Sequence, residues 1–413
     1  MKKIELLAPA GNILKMKTAF AYDADAVYLG IPDFSMRVRI NQFNMAEVKK
    51  ATEYAHERKK KVYVTINIVA HNKHFKKLPD HVKKLKEIGV DALIVSDPGV
   101  MQAIRKVWPK AEIHLSTQAN CTNAETAKFW YEQGVKRVVL GREVTLDEIK
   151  EIHKAVPKLE LEYFIHGAMC MAYSGRCFLS KQILDRSGNL GDCAQPCRWG
   201  YYMKTINHDD EFELVEEEHG SYILNSKDLC LVKYLKELIS AGVISLKIEG
   251  RAKSVYYQAV VCSVYRKAMN LISDKKLSKK ELDIELDALF KELKTKLVHR
   301  GYTTGFLLKD KAEQNITNAH TKSDWEFCGQ VLKVKGNMLH FKVHNTIKVG
   351  DQVEIIKQNY DIMKIRLKEM WNAKTRDKMD EAHGGGGGQI AMIDLGDNHG
   401  VDELAVLRRK MIK

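Results

Sequence analysis

The stretches GVDALIVSD (89–97) and GVKRVVLGRE (134–143) decide the fold of this 413-residue chain. Each opens on a glycine, which suits the end of a preceding helix, and runs at once into a short β-branched strand. DADAVYLG (23–30) and GVISLKIEGR (242–251) repeat the strand layout, the second with its glycine. IELLAP (4–9), KVYVTIN (61–67), AEIHLSTQ (111–118) and LELEYFIHG (159–167) add four more strands. Helical stretches such as NMAEVKKATEYAHERKKK (44–61) lie between them. Eight buried-type strands alternating with helices imply parallel pairing through right-handed crossovers. Eight such units in about 250 residues are what a TIM-like (β/α)8 barrel requires. An open doubly wound sheet is the competing architecture. It needs a glycine-rich phosphate loop after the first strand, and APAGN (8–12) is a poor one.

In a barrel, chemistry belongs at the carboxyl ends of the strands. Polar residues end nearly every strand here: Asn67, Asp97, Gln118, Arg142 with Glu143, His166, and Glu249 with Arg251. Asp97 precedes Pro98 and is expected only to cap the next helix. The others suggest a lined pocket.

Composition narrows the function. The chain is 45% hydrophobic and has no apolar run long enough to span a membrane, so no membrane association is expected. MKKIELLAPAGN (1–12) reads as a first strand, not a secretion signal, and a cytoplasmic location follows. The formal charge of +14 gives a long-range attraction for polyanions such as nucleic acid. Single basic runs, such as KHFKKLPDHVKKLKE (73–87), read as solvated helix faces.

Five cysteines crowd into about sixty residues: Cys170, Cys177, Cys193, Cys197 and Cys230. In a reducing compartment such a group points to metal and not to disulfides. Zinc favours two close C-x2-C pairs, and only Cys193/Cys197 approaches that. An iron–sulfur cluster accepts four thiolates from scattered loops, so spacing alone leaves both metals open. Cys121, Cys262 and Cys328 stand alone and read as small buried hydrophobes.

ELLAPAGN, DADAVYLG, LSTQANCTN, HGAMCMAYSGRCFLS, SGNLGDCAQPCRW, YILNSKDLC and SLKIEGRAKSVYYQAVV together resemble the U32 family, whose members are often labelled collagenase-like peptidases. The resemblance covers residues 3–270 closely and the rest more weakly. It implies a 4Fe–4S cluster and hydroxylation of aromatic rings without dioxygen. Similar bacterial members serve in making 5-hydroxyuridine at the tRNA wobble position, with prephenate as the implicated hydroxyl source. Others modify ribosomal RNA or act in oxygen-independent ubiquinone synthesis. Carried over by motif, the cluster ligands are Cys170, Cys177, Cys193 and Cys230. Some relatives use both cysteines of the C-x3-C unit, which makes Cys197 the alternative to Cys230.

Around that cluster, His166, Arg142, Glu249 and Arg251 are the candidate catalytic residues, and Arg37, His114, Gln118 and Lys247 the candidate substrate-binding ones. The cations suit donor carboxylates or RNA phosphates, because an arginine fork matches carboxylate geometry. Against this stands the plainer reading of ordinary salt bridges and, for Lys247, simple barrel lining. His114, Gln118 and His166 are candidates to orient substrate or move protons. The expected partners are tRNA and a homologous subunit or second copy. A peptidase is the alternative activity, although neither H-E-x-x-H nor G-x-S-x-G occurs. An RNA-binding accessory protein with a purely structural cluster is the third reading.

Three spans are expected: the barrel over 1–275, a helical linker over 276–322, and a small C-terminal β-barrel over 323–413. In the last, alternating strands and glycine turns dominate, as in IKVGDQVEII (347–356). The resemblance likens this domain to barrels of translation factors, which suits it to docking RNA.

Overall fold

A computed structural model describes residues 3–32, 34–35, 42–170, 172–173, 176–199, 225–308, 313–315, 321, 323–385 and 388–411. Its first seven strands are β1 (Glu5–Pro9), β2 (Ala26–Gly30), β3 (Lys61–Ile66), β4 (Ala92–Val95), β5 (Ile113–Leu115), β6 (Arg137–Val139) and β7 (Glu160–Ala168). They pair in parallel, each with the next. A short β8 (Asp228–Cys230) runs antiparallel to the outer end of β7, with His166 opposite Cys230. β9 (Val243–Ile248) then pairs in parallel with both β7 and β1 and closes the ring. The eight strands read from the sequence are therefore the eight staves of the barrel, and the open doubly wound sheet is excluded.

Two strand features lay outside the sequence reading. β8 lies in the cysteine-bearing insertion, and β10 (Tyr302–Thr303) pairs with it in parallel. A buried ion pair between Arg300 and Asp228 fastens the two, and the backbone N–H of Asp228 donates to Gly301 O at 2.9 Å.

The chain forms two compact units, and the three consecutive spans expected from the sequence are corrected by their course. The first unit comprises 1–13, 26–252 and 299–321; the second comprises 14–25, 253–298 and 322–413. The helix Lys279–Lys296 is not a linker but part of the second unit, and the segment after it returns to the first. That helix starts on a capping box in which Ser278 and Glu281 satisfy each other's backbone amides.

In the second unit, β11 (Trp325–Lys335), β12 (Met338–Val343), β14 (Gln352–Ile356), β15 (Ile362–Arg366), β16 (Trp371–Asn372), β18 (Ile390–Asp394) and β19 (Val406–Lys410) form an antiparallel sheet in the order β15-β14-β19-β11-β12-β18-β16. β13 (Ile347–Lys348) and β17 (Glu381–Ala382) pair separately. Val331, Phe341, Ile355 and Leu407 lie in the core of this unit. Arg408, fully buried, is held by Glu354, Glu292 and Tyr360.

The barrel interior carries an apolar layer that includes Leu7, Ala26, Ala92 and Ile94. It also carries charges. Glu162, with no solvent exposure, meets Lys247 Nζ at 2.6 Å and Arg137 Nη1 at 3.2 Å and accepts from Ser245 Oγ at 3.1 Å. Arg137 also binds Glu5 and Glu160, and Glu5 accepts from the Tyr63 hydroxyl. Burial alone would raise the Glu162 carboxyl, but Lys247, Arg137 and His114 hold it down at about 2. A depressed folded pKa means this carboxylate stabilises the fold above the ordinary carboxylate range and loses that contribution as pH falls toward 2. Glu162→Gln leaves two buried cations undercompensated and is expected to cost about 3 kcal/mol at pH 7. The variant should also lose the part of the wild-type acid sensitivity that lies between about pH 4.5 and 2. Urea unfolding at pH 7 and pH 3 measures both, and equal stability of the two proteins at pH 7 would contradict this reading.

Candidate active site

The carboxyl ends of the strands open into a cavity of about 290 Å³. Its floor is aromatic: Tyr28 from β2 and Phe164 from β7. Three cations stand over these rings. Arg142 lies 4.0 Å from the Phe164 centroid, Lys247 Nζ 4.4 Å from that of Tyr28, and Arg251 5.5 Å from Tyr28. Arg251 donates to Ser35 Oγ at 2.9 Å and to Thr65 Oγ1 of β3 at 3.5 Å, which aims it from the β9 end toward β3. The Tyr28 hydroxyl lies 2.8 Å from Glu249 Oε2 and 3.0 Å from Ile248 O, so it donates between them. Burial and then Glu249 push this phenol well above its usual value, which keeps it a neutral donor. Burial lowers the Lys247 ammonium below the usual lysine value, while Glu162 opposes the shift. Lys247 is thus both barrel lining, through Glu162, and cavity wall.

Gln118, on a 3-10 turn after β5, lines the cavity together with Asn67, Ser116 and Thr117. Asn67 Nδ2 donates to Ser116 Oγ at 3.1 Å. Asp97 does not take part: its side chain accepts from the Val100 amide, as a helix cap.

The cysteine insertion forms the remaining wall. Cys170, Cys177, Cys193 and Cys197 all line the cavity. The Leu179 amide approaches Cys177 Sγ at 3.4 Å, and the Gln195 amide approaches Cys193 Sγ at 3.3 Å. Such N–H···S contacts favour thiolates and tune the metal they hold. A Cβ on Gly188 would come within 3.7 Å of Cys193 Sγ and 3.8 Å of Cys177 O, so the two thiol-bearing turns meet there. Burial pushes the Cys197 thiol up, Arg198 opposes, and Cys170, Cys193 and Cys177 add to the rise. No cysteine is in a disulfide among the described residues.

The donor set suits an iron–sulfur cluster in kind. Such a cluster takes thiolates from separate loops, and four of the five clustered cysteines line this cavity.

The structure therefore brings Arg142, Gln118, Lys247, Glu249, Arg251, Cys170, Cys177 and Cys193 to one cavity. Three other candidates lie elsewhere. His114 is fully buried, 3.1 Å from Glu112 and edge-on to Tyr63. His166 is buried on β7, its ring 5.4 Å from that of Tyr302. Cys230 is buried on β8, and none of the three is among the lining residues. Arg37 falls outside the described residues. Sequence reasoning missed Tyr28, Phe164 and the place of Cys197. Cys121, Cys262 and Cys328 are buried, as expected of small hydrophobes.

Residues 11–317 match the model of peptidase family U32, and 323–408 match that of the peptidase family U32 C-terminal domain. The chain belongs to the U32 family. Among its relatives, "tRNA hydroxylation protein P" of Escherichia coli (strain K12) is 40% identical over 91% of this chain and 90% of its own length. "23S rRNA 5-hydroxycytidine C2501 synthase" of the same strain is 33% identical over 86% of this chain and 52% of its own. "Collagenase" of Porphyromonas gingivalis (strain ATCC BAA-308 / W83) is 35% identical over 64% of this chain and 65% of its own.

Gly167 shows how tightly this U32 site is built. Its φ is +111°, and an added Cβ would sit 2.4 Å from Glu249 O. Glycine lets the chain just past β9 press close against β7 here, where the Glu249 amide donates to His166 O at 2.8 Å. Gly167→Ala is expected to cost about 2 kcal/mol or more and to displace Glu249 from Tyr28. Thermal unfolding checks the first effect. A melting temperature equal to wild type would mean that the close approach carries no constraint.

Proposed function

We propose that this chain hydroxylates RNA without dioxygen, forming 5-hydroxyuridine at the wobble position of tRNA, with a 4Fe–4S cluster in the cavity and prephenate as hydroxyl source. One observation carries the reading: thiols from the cysteine insertion and three cations share a single cavity at the carboxyl ends of the barrel strands. The names of the relatives support RNA as the substrate class, and the net charge of +14 suits a polyanion.

Cys170, Cys177 and Cys193 would supply three of the thiolates that hold the cluster. The fourth would be Cys230, as the family pattern implies, or Cys197, which lines the cavity. When bound, the cluster would polarise the oxygen donor, which itself must take up the two electrons released as the ring C–H becomes C–OH. Arg142, Arg251 and Lys247 bind the donor carboxylates. Glu249, fixed by the Tyr28 hydroxyl, is the carboxylate placed to accept a proton, and Gln118 orients substrate. His166, buried outside the lining, acts through β8 and not by contact. A thiol–imidazole peptidase gains no support, because Cys170 lines the cavity and His166 does not.

Two measurements test this. Iron content after anaerobic purification should be close to four per chain and fall in Cys170→Ala, Cys177→Ala and Cys193→Ala; whichever of Cys197→Ala and Cys230→Ala loses iron identifies the fourth ligand. Mass spectrometry of tRNA nucleosides from a deletion strain, also lacking any redundant homologue, should show loss of 5-hydroxyuridine or its derivatives. The wild-type gene should restore them and Cys170→Ala should not. Unchanged nucleosides in that strain would overturn the proposal. Colourless protein with stoichiometric zinc would do so too.

A further inference from the structure

The segment that carries the cavity-lining thiols also carries exposed rings. Phe178 is 76% exposed, Tyr173 56% and Trp199 42%. Each is next in sequence to a cavity-lining residue: Tyr173 follows Ala172, Phe178 lies between Cys177 and Leu179, and Trp199 follows Arg198. The rings are thus carried by the cavity wall itself, and the Tyr173 carbonyl accepts from Asn120 Nδ2 at 3.4 Å, close to the lining residue Gln118. Large exposed apolar groups in one place mark a contact surface.

Cations are interleaved with the rings. Residues 170–199 hold four basic and two acidic side chains. Two of the basic ones are tied to those acids, Lys181 to Asp185 and Arg186 to Asp192. Arg176 donates instead to Gln118 O at 3.4 Å, and Arg198 to the Gln195 side chain. At Arg176, which is exposed, the neutral acceptor leaves the positive charge of the guanidinium in place two residues before Phe178. Rings alternating with arginines suit a single-stranded nucleic acid, whose bases stack while its phosphates meet the cations.

We propose that Tyr173, Phe178 and Trp199 form a stacking rim that grips the unpaired nucleotides flanking a base extruded into the cavity. This rests on the RNA reading above and names the contacts that deliver the substrate. A base held in its stack cannot reach a cavity walled by the barrel and the cysteine insertion, so it must leave its neighbours. The rim rings replace the stacking that those neighbours lose.

The test uses the full, anaerobically purified, iron-loaded protein and an unmodified tRNA anticodon stem–loop, with affinity measured by fluorescence anisotropy across a salt series. Tyr173→Ala, Phe178→Ala and Trp199→Ala should each weaken binding about tenfold, with the slope of log affinity against log salt unchanged. Arg176→Gln should reduce that slope by about 0.7. Phe178→Trp should retain wild-type affinity. Phe129→Ala, at an exposed ring on the helix Ala124–Glu132, should bind as wild type. Iron content must stay at the wild-type level in the rim variants, which separates loss of stacking from damage to the neighbouring thiols. Rim variants that bind like wild type overturn the rim and leave the hydroxylation reading standing. A shift from dimer to monomer in those variants with RNA affinity unchanged also overturns it, since the patch would then join two copies. Wild-type protein with no affinity for the stem–loop removes the RNA reading and the rim together.

Discussion

A carboxylate without access to water, Glu162, organises the barrel. Placed at mid-strand on β7, it must be compensated from within, and its partners come from β6 (Arg137) and β9 (Lys247, Ser245). Arg137 carries the network on to Glu5 of β1, and Glu5 to Tyr63 of β3. Breaking such a set exposes an unpaired charge to a low-dielectric interior, a far larger effect than removing a surface pair. The network also reaches the cavity, because Lys247 binds Glu162 and is itself a lining residue. The position of one cavity cation is thus set by the same contacts that hold the strands in register.

Above that layer, the division of labour follows the topology. Strand ends supply the rigid polar groups, Asn67, Arg142, Glu249 and Arg251, while the insertion after β7 supplies thiols and rings. The described part of the insertion has one short α-helix, Leu179–Leu184, and is held by local contacts: N–H···S bonds at Cys177 and Cys193, and the Ser180 hydroxyl accepting from the Ala194 amide at 2.9 Å. A metal cluster suits such a segment, since four covalent attachments order loops that lack a core of their own. The return of residues 299–321 to the first unit adds a second support, because Arg300 clamps Asp228 two residues before Cys230.

The barrel was legible because parallel strands buried on both faces read as apolar runs, and helix-ending glycines mark where several begin. Polar residues at the ends of those runs pointed correctly to a cavity. The weave of the chain between two units was not legible, because β8 and β10 span three and two residues and carry no periodicity. Nor was the fate of the histidines: His114 and His166 sit on strands whose alternation was masked by burial on both faces. Glu162 within LELEYFIHG did carry a signal, since a carboxylate amid apolar strand residues must find a buried partner. The rings of AYSGRCFLS were readable only as part of a family motif, and their exposure required coordinates.

Reconstitution with purified components shows whether this cavity hydroxylates RNA. Anaerobic, iron-loaded protein would be incubated with tRNA from the deletion strain and prephenate, and 5-hydroxyuridine counted by mass spectrometry. 5-Hydroxyuridine should rise with wild-type protein, without dioxygen, and stay at background with Cys170→Ala. An unmodified tRNA pool, from a preparation that holds its iron, would contradict RNA hydroxylation by this cavity.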